Sequence, residues 1–215
     1  MLRNAPSYEL FTILIIVSVI FIAIAKSLLP KRFNELVSVL GHSNYLKIYS
    51  REQKFFDKFD ALLFVNFILS AAIFSFLCLH YKSKVLEPSI DELFKLTFAI
   101  GSFILIKVLL ERLIGSLFEI DKLIDQYLFQ KISYKNFLGL VLLPINALFI
   151  YSFKPPITVI YIIVVLLLLI TVLGLISTIK THLNVIKHNF FYFILYLCAL
   201  EIAPYIILYK LFFSN

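Results

Sequence analysis

The chain has 215 residues, 61% of them hydrophobic, with a formal net charge of +7. A mean hydropathy of +0.97 excludes an ordinary water-soluble domain. Two cysteines, Cys78 and Cys198, both inside apolar runs, exclude a disulfide framework and read as packing residues.

The composition predicts an all-α, polytopic membrane protein, a single membrane domain over residues 1–215. About six transmembrane helices are expected, together with interfacial amphipathic helices, because roughly 20 apolar residues in helical form cross a hydrocarbon core of about 30 Å. The first span covers residues 8–29. Its Ala23, Ile24 and Ala25 imitate a signal-peptidase site, but the preceding run is long, Arg3 is its sole leading positive charge and Glu9 interrupts its start. It is therefore expected to remain as an uncleaved anchor.

Residues 31–60 read as interfacial. Tyr45, Ile48, Tyr49, Phe55, Phe56 and Phe59 recur at helical spacing, while Lys47, Arg51, Lys54 and Lys58 take the other side. Gly41–Asn44 divides the segment into two short helices. The basic face is expected to lie on anionic lipid headgroups, with a partner-binding surface as the alternative.

The second span covers 61–81 and the third 93–117, the latter containing Lys95, Lys107, Glu111 and Arg112. Leu113, Leu117, Ile120, Ile124 and Leu128 continue its apolar stripe opposite Glu119, Asp121, Lys122, Asp125 and Gln126. An interfacial helix over 118–132 is thus expected to prolong the third span as one bent helix. The fourth span, 137–153, is short and holds Pro144 and Asn146, so a full crossing and a broken or re-entrant helix both fit. Lys154, Pro155 and Pro156 separate it from the fifth, 157–178, the most hydrophobic run. The sixth covers 190–213. Tyr8, Tyr81, Tyr151, Tyr192 and Tyr209 fall near run ends, as an aromatic belt does.

Ionised groups inside a bilayer cost about 2.5–3.5 kcal/mol each on insertion scales and mark pairing or function. Glu201 lies near the middle of the sixth span and Lys107 near the middle of the third. Glu111 follows Lys107 by four residues and competes for it, which leaves Arg112 to meet Glu201. The leading reading is a static charge pair; a proton or ion site and a bond to a partner chain are the alternatives. Pro144 and Pro204 are expected to kink their helices and free the carbonyls of Leu140 and Leu200. Ala71 with Ser75, and Gly174 with Thr178, are small residues four apart that favour close helix packing.

The spans carry neither paired aspartates nor a serine with histidine, and the chain lacks the zinc-protease spacing, the phosphate-binding loop and the dinucleotide fingerprint. His42, His182 and His188 share one side of the membrane but sit in no ligand motif. No enzymatic role, cofactor, metal or nucleic-acid partner is expected. The expected partners are the bilayer, anionic headgroups and other membrane proteins.

Three stretches carry a resemblance. "PKRFNEL" after the first span, a basic aromatic segment containing "REQ", and the terminal "LYLCALEIAPYIILYK" with Glu201, Pro204 and Lys210 resemble an integral membrane family of Bacteroidota, a domain of unknown function. The resemblance implies a multi-helix protein of the inner membrane of a Gram-negative cell and no particular activity. The Lys and Arg bias of the loops, twelve on one side against six on the other, places both termini in the periplasm. The function expected is that of a non-enzymatic accessory or structural subunit of an inner-membrane assembly, in envelope biogenesis or protein export. The alternative is a small ion-coupled transporter using Glu201 and Lys107.

Overall fold

The computed structural model describes residues 9–39, 49, 57–81, 89–117, 121–152 and 155–181. Among these the regular elements are helices without a strand: α1 Glu9–Leu28, α2 Pro30–Val37, α3 Lys58–Leu79, α4 Ile90–Leu117, α5 Asp121–Tyr151 and α6 Ile157–Thr181. All but α2 are long and apolar enough to cross a bilayer. The chain is a polytopic α-helical membrane protein.

Local chemistry sets the boundaries. Leu29 takes an extended φ of −139°, and Pro30 then occupies the first turn of α2, where its missing N–H costs nothing. The Asp57 carboxylate accepts the Lys58 N–H at 2.7 Å and opens α3. Ser89 Oγ accepts the Glu92 N–H at 3.1 Å, one half of a capping box at the head of α4.

The long helices alternate in direction. Phe11, Phe76, Leu93, Phe149 and Ile160 share a core at one end of the bundle. Ala25, Leu36, Leu63, Phe129 and Phe137 share another at the opposite end. Thus α3 and α5 run parallel, while α1, α4 and α6 run against them. The centre is α3 with α5, which touches every other helix described here. The outer helices turn large apolar side chains outward, among them Ile13 and Ile16 of α1, Phe98 and Leu109 of α4, and Tyr161 and Leu168 of α6. Such surface is stable in hydrocarbon and not in water.

Three glycines fix how closely helices approach. A Cβ on Gly139 would lie 2.7 Å from the Phe67 Cα, so α5 meets the α3 backbone directly. A Cβ on Gly115 would lie 2.8 Å from the Ile124 side chain, and one on Gly174 2.8 Å from the Tyr134 ring. Small residues at such crossings are how membrane helices gain contact area. Gly174 belongs to a pair singled out in the sequence; Gly139 and Gly115 have no small residue four positions away and carried no such signal.

The structure differs from the sequence reading at four places. The stripe from Leu113 to Leu128 is not one helix, because α4 ends at Leu117 and α5 starts at Asp121. Gly115 packs on Ile124, only nine residues away, which requires the chain to reverse. Leu113 and Leu117 face outward while Ile124 and Leu128 are buried. Second, residues 121–132 of the expected interfacial helix and the short fourth span form one helix, α5, whose 31 residues reach about 46 Å. Third, Lys58–Asp60 form the first turn of the membrane helix α3, and Phe59 is buried rather than dipped into lipid. Fourth, Lys107 is buried toward the end of the bundle where α3 begins: its neighbours Ile104 and Val108 share a core with Phe64.

Candidate functional site

Two ionic centres occupy the end of the bundle where α1, α4 and α6 finish and α3 and α5 begin. The first surrounds Arg32, on the inner face of α2 and 3% exposed. Its Nη1 donates to Asp57 Oδ2 at 3.0 Å and its Nη2 to Asp60 Oδ2 at 2.7 Å. The guanidinium lies over the rings of Phe59 at 4.6 Å, Tyr49 at 5.3 Å and Phe129 at 5.8 Å. A planar cation suits this setting, because its edge binds carboxylates while its faces stack on aromatic rings. Asp57 acts twice, capping α3 and holding α2. On the far side of Asp60, Asn136 of α5 offers its Nδ2 to the carbonyl and to Oδ1, both at 3.5 Å. The centre therefore ties α2, α3 and α5 together beside the turn that follows α1.

The second centre joins α4 to α5. Glu111, fully buried, accepts a hydrogen bond from Lys131 Nζ, and that ammonium lies 5.4 Å from the Tyr127 ring. Toward the rim, Arg112 Nε lies 3.8 Å from Asp125 Oδ1, with both side chains partly exposed. The buried contact is the stronger of the two. Breaking a buried pair strands a charge, whereas an exposed pair contributes at most about 1 kcal/mol.

Of the residues singled out in the sequence, Lys107, Glu111 and Arg112 fall on α4 in this region. Lys107 and Glu111 are buried and Arg112 is half exposed. Their α5 neighbours Lys131 and Asp125 were missed, because the expected helix carried the 118–132 stripe away from α4. Arg32 and Asp60 were missed as well. Arg32 appeared only as a loop charge, and nothing in its spacing connects it to residues 25 and 28 positions later. Its aromatic neighbours Tyr49 and Phe59 belong to the run of Tyr and Phe across 45–59, whose helical spacing points to the lipid surface, yet both lie against the guanidinium.

Pro144 lies on the exposed side of α5, and the helix continues through it. The nearby Asn146 is buried and donates its Nδ2 to the Ser70 carbonyl at 2.8 Å, a bond between the two central helices. Below it Asn66 is fully buried, with neither amide atom hydrogen-bonded among the described residues. Ser18 Oγ, near the middle of α1, is likewise buried and without a hydrogen bond among them. Lys47, Arg51 and Lys54, expected at the membrane surface, and Glu201 and Pro204, expected in a sixth span, lie outside the described residues, as do His42, His182 and His188. Lys58 opens α3 and is exposed.

The buried ionic contacts connect neighbouring helices, which suits them to fixing architecture. A family model described as "Domain of unknown function (DUF4271)" matches residues 11–212. No curated protein and no solved structure matches the chain.

Proposed function

The chain belongs to the DUF4271 family, and from the geometry of its buried charges we propose that it is a non-enzymatic, membrane-embedded subunit of a larger assembly. The setting we propose is the bacterial inner membrane, with both termini in the periplasm and a role in envelope biogenesis or protein export. The observation that carries this reading is the use of the buried charges. Arg32 is bound to Asp57 and Asp60, and Glu111 to Lys131, each across a helix boundary. Groups held so tightly are poor carriers of protons or substrates and good supports for a rigid surface. The apolar side chains that α4 and α6 turn outward supply that surface for lateral contact with other membrane proteins. Purification in a mild detergent followed by mass spectrometry tests it: a membrane protein should be recovered in stoichiometric amount with this chain.

A second reading is supported by polar atoms of Asn66, Ser18 and Asn146 (Oδ1) that are buried inside the bundle and have no hydrogen bond among the described residues. Buried polar groups without partners are rare and accompany water or ions. In this reading the protein is a small ion-coupled transporter using Glu201 and Lys107. A pH-dependent flux in liposomes that disappears in Glu201→Gln, with the fold retained, is its signature.

A further inference from the structure

A hollow of about 330 Å³ runs along the outer seam of α3 and α4. Its floor is the contact of Gly101 with Ile68, where even a Cβ would lie 3.5 Å away. One wall is Val65 and Leu69 of α3, and the other is Phe94 and Phe98 of α4. These two rings are about 70% exposed and lie parallel, with centroids 6.4 Å apart and planes at 15°. The hollow extends from Phe94 to Leu105, about 16 Å at the helical rise. Thr97 also lines it, but its hydroxyl donates to the Leu93 carbonyl at 2.7 Å and is satisfied within its own helix. The lining is thus apolar in effect, long and narrow.

Its upper end coincides with the polar limit of the bundle. There Ser89 caps α4, and His80 Nε2 lies 3.5 Å from Glu92 Oε2. Two further charges stand at that mouth. Asp91 prolongs by one turn the side of α4 that carries Phe94 and Phe98, and Lys95 follows Asp91 by four residues. Both are exposed, and neither has an ion-pair partner among the described residues.

The geometry points to a bound phospholipid: one acyl chain lies in the hollow and a headgroup carrying both a phosphate and an ammonium sits on Lys95 and Asp91. The apolar length alone would admit any chain from the bilayer. The ionic end supplies the selection, because a cation and an anion one turn apart complement a zwitterionic headgroup better than a purely anionic one. Lys95 lies about 6 Å below Asp91 along the helix, and its flexible stem lets the ammonium rise to phosphate level.

The test uses the full-length protein purified in mild detergent, with retained lipid counted per chain by mass spectrometry and exchange measured in nanodiscs of phosphatidylethanolamine or phosphatidylglycerol. The wild type should keep phosphatidylethanolamine at about one per chain and prefer it over phosphatidylglycerol. Gly101→Leu, which fills the hollow, should lose the lipid while keeping the wild-type helical circular dichroism and elution volume. Ser102→Leu narrows the same hollow and decides the matter if Gly101→Leu does not fold. Lys95→Gln and Asp91→Asn should each weaken retention roughly tenfold, as expected for losing one hydrogen bond to a charged group, and should abolish the headgroup preference. Four results overturn the inference: no lipid kept by the wild type, equal retention by the filled variants, indifference to the headgroup, or a change of oligomeric state on filling with no lipid involved. The last would make the hollow a seat for a helix.

Discussion

Arg32 holds α2 to α3 through Asp57 and Asp60 and stacks on Phe59, Tyr49 and Phe129. Replacing it with Leu removes the cation from Asp60, which is only 3% exposed, and stranding a buried charge costs about 3–5 kcal/mol. Arg32→Leu should therefore lower the thermal midpoint in detergent sharply, and Arg32→Leu with Asp60→Leu should recover much of the loss. Arg32→Lys should also destabilise, because a point ammonium can neither bridge Asp57 and Asp60 nor stack between Phe59 and Phe129. Equal stability of the single and double Leu variants would remove the pair from this account. The Glu111 contact allows a second test at the same scale. Glu111→Lys and Lys131→Glu should each fail to accumulate as folded protein, and the double exchange should restore accumulation, as followed by fluorescence-detected size exclusion. The sequence could not name either partner. Lys131 lies 20 residues beyond Glu111, across a turn hidden by a stripe that keeps its period through it.

At the scale of elements, the central pair α3 and α5 rests on a backbone contact at Gly139. A methyl group there meets the Phe67 Cα, which cannot move without moving the helix, so Gly139→Ala should destabilise by about 1–3 kcal/mol. Gly101→Ala is the control, since its added Cβ would make ordinary contact with Ile68 at 3.5 Å. Thermal unfolding in detergent should separate the two variants; identical midpoints would mean that α3 and α5 are less closely packed than described. The helix limits were largely legible. The runs 8–29, 93–117 and 157–178 begin and end within three residues of α1, α4 and α6, because hydropathy registers the cost of an unpaired backbone or a charge in lipid. The α4–α5 reversal was not legible, since Leu117 and Ile124 are seven residues apart and so hold the same helical phase, although they sit on antiparallel helices. Nor was the length of α5. Its first half looks polar because Lys131, Ser133 and Asn136 face neighbouring helices rather than lipid, and a composition window cannot distinguish the two.

For the whole molecule, the alternation of α1, α3, α4, α5 and α6 puts the Arg32 and Glu111 centres at one end. That is the end whose connecting segments carry the larger share of Lys and Arg. The positive-inside bias therefore predicts a cytoplasmic position for it. Cysteine accessibility in intact cells tests this. A cysteine replacing Lys31, beside Arg32, should resist a membrane-impermeant maleimide, and one replacing Glu92 should react; the reverse pattern would invert the topology. Glu201, in the sixth span expected from the sequence, bears on which of the two functional readings holds, and Glu201→Gln separates a transporter from a support. The proposed role of this chain as a structural subunit makes a definite statement about what it is isolated with. Purification of the full chain in mild detergent, with mass spectrometry of the eluted complex, should recover a stoichiometric membrane-protein partner. A chain that runs alone, as a monomer or a homo-oligomer, would contradict it.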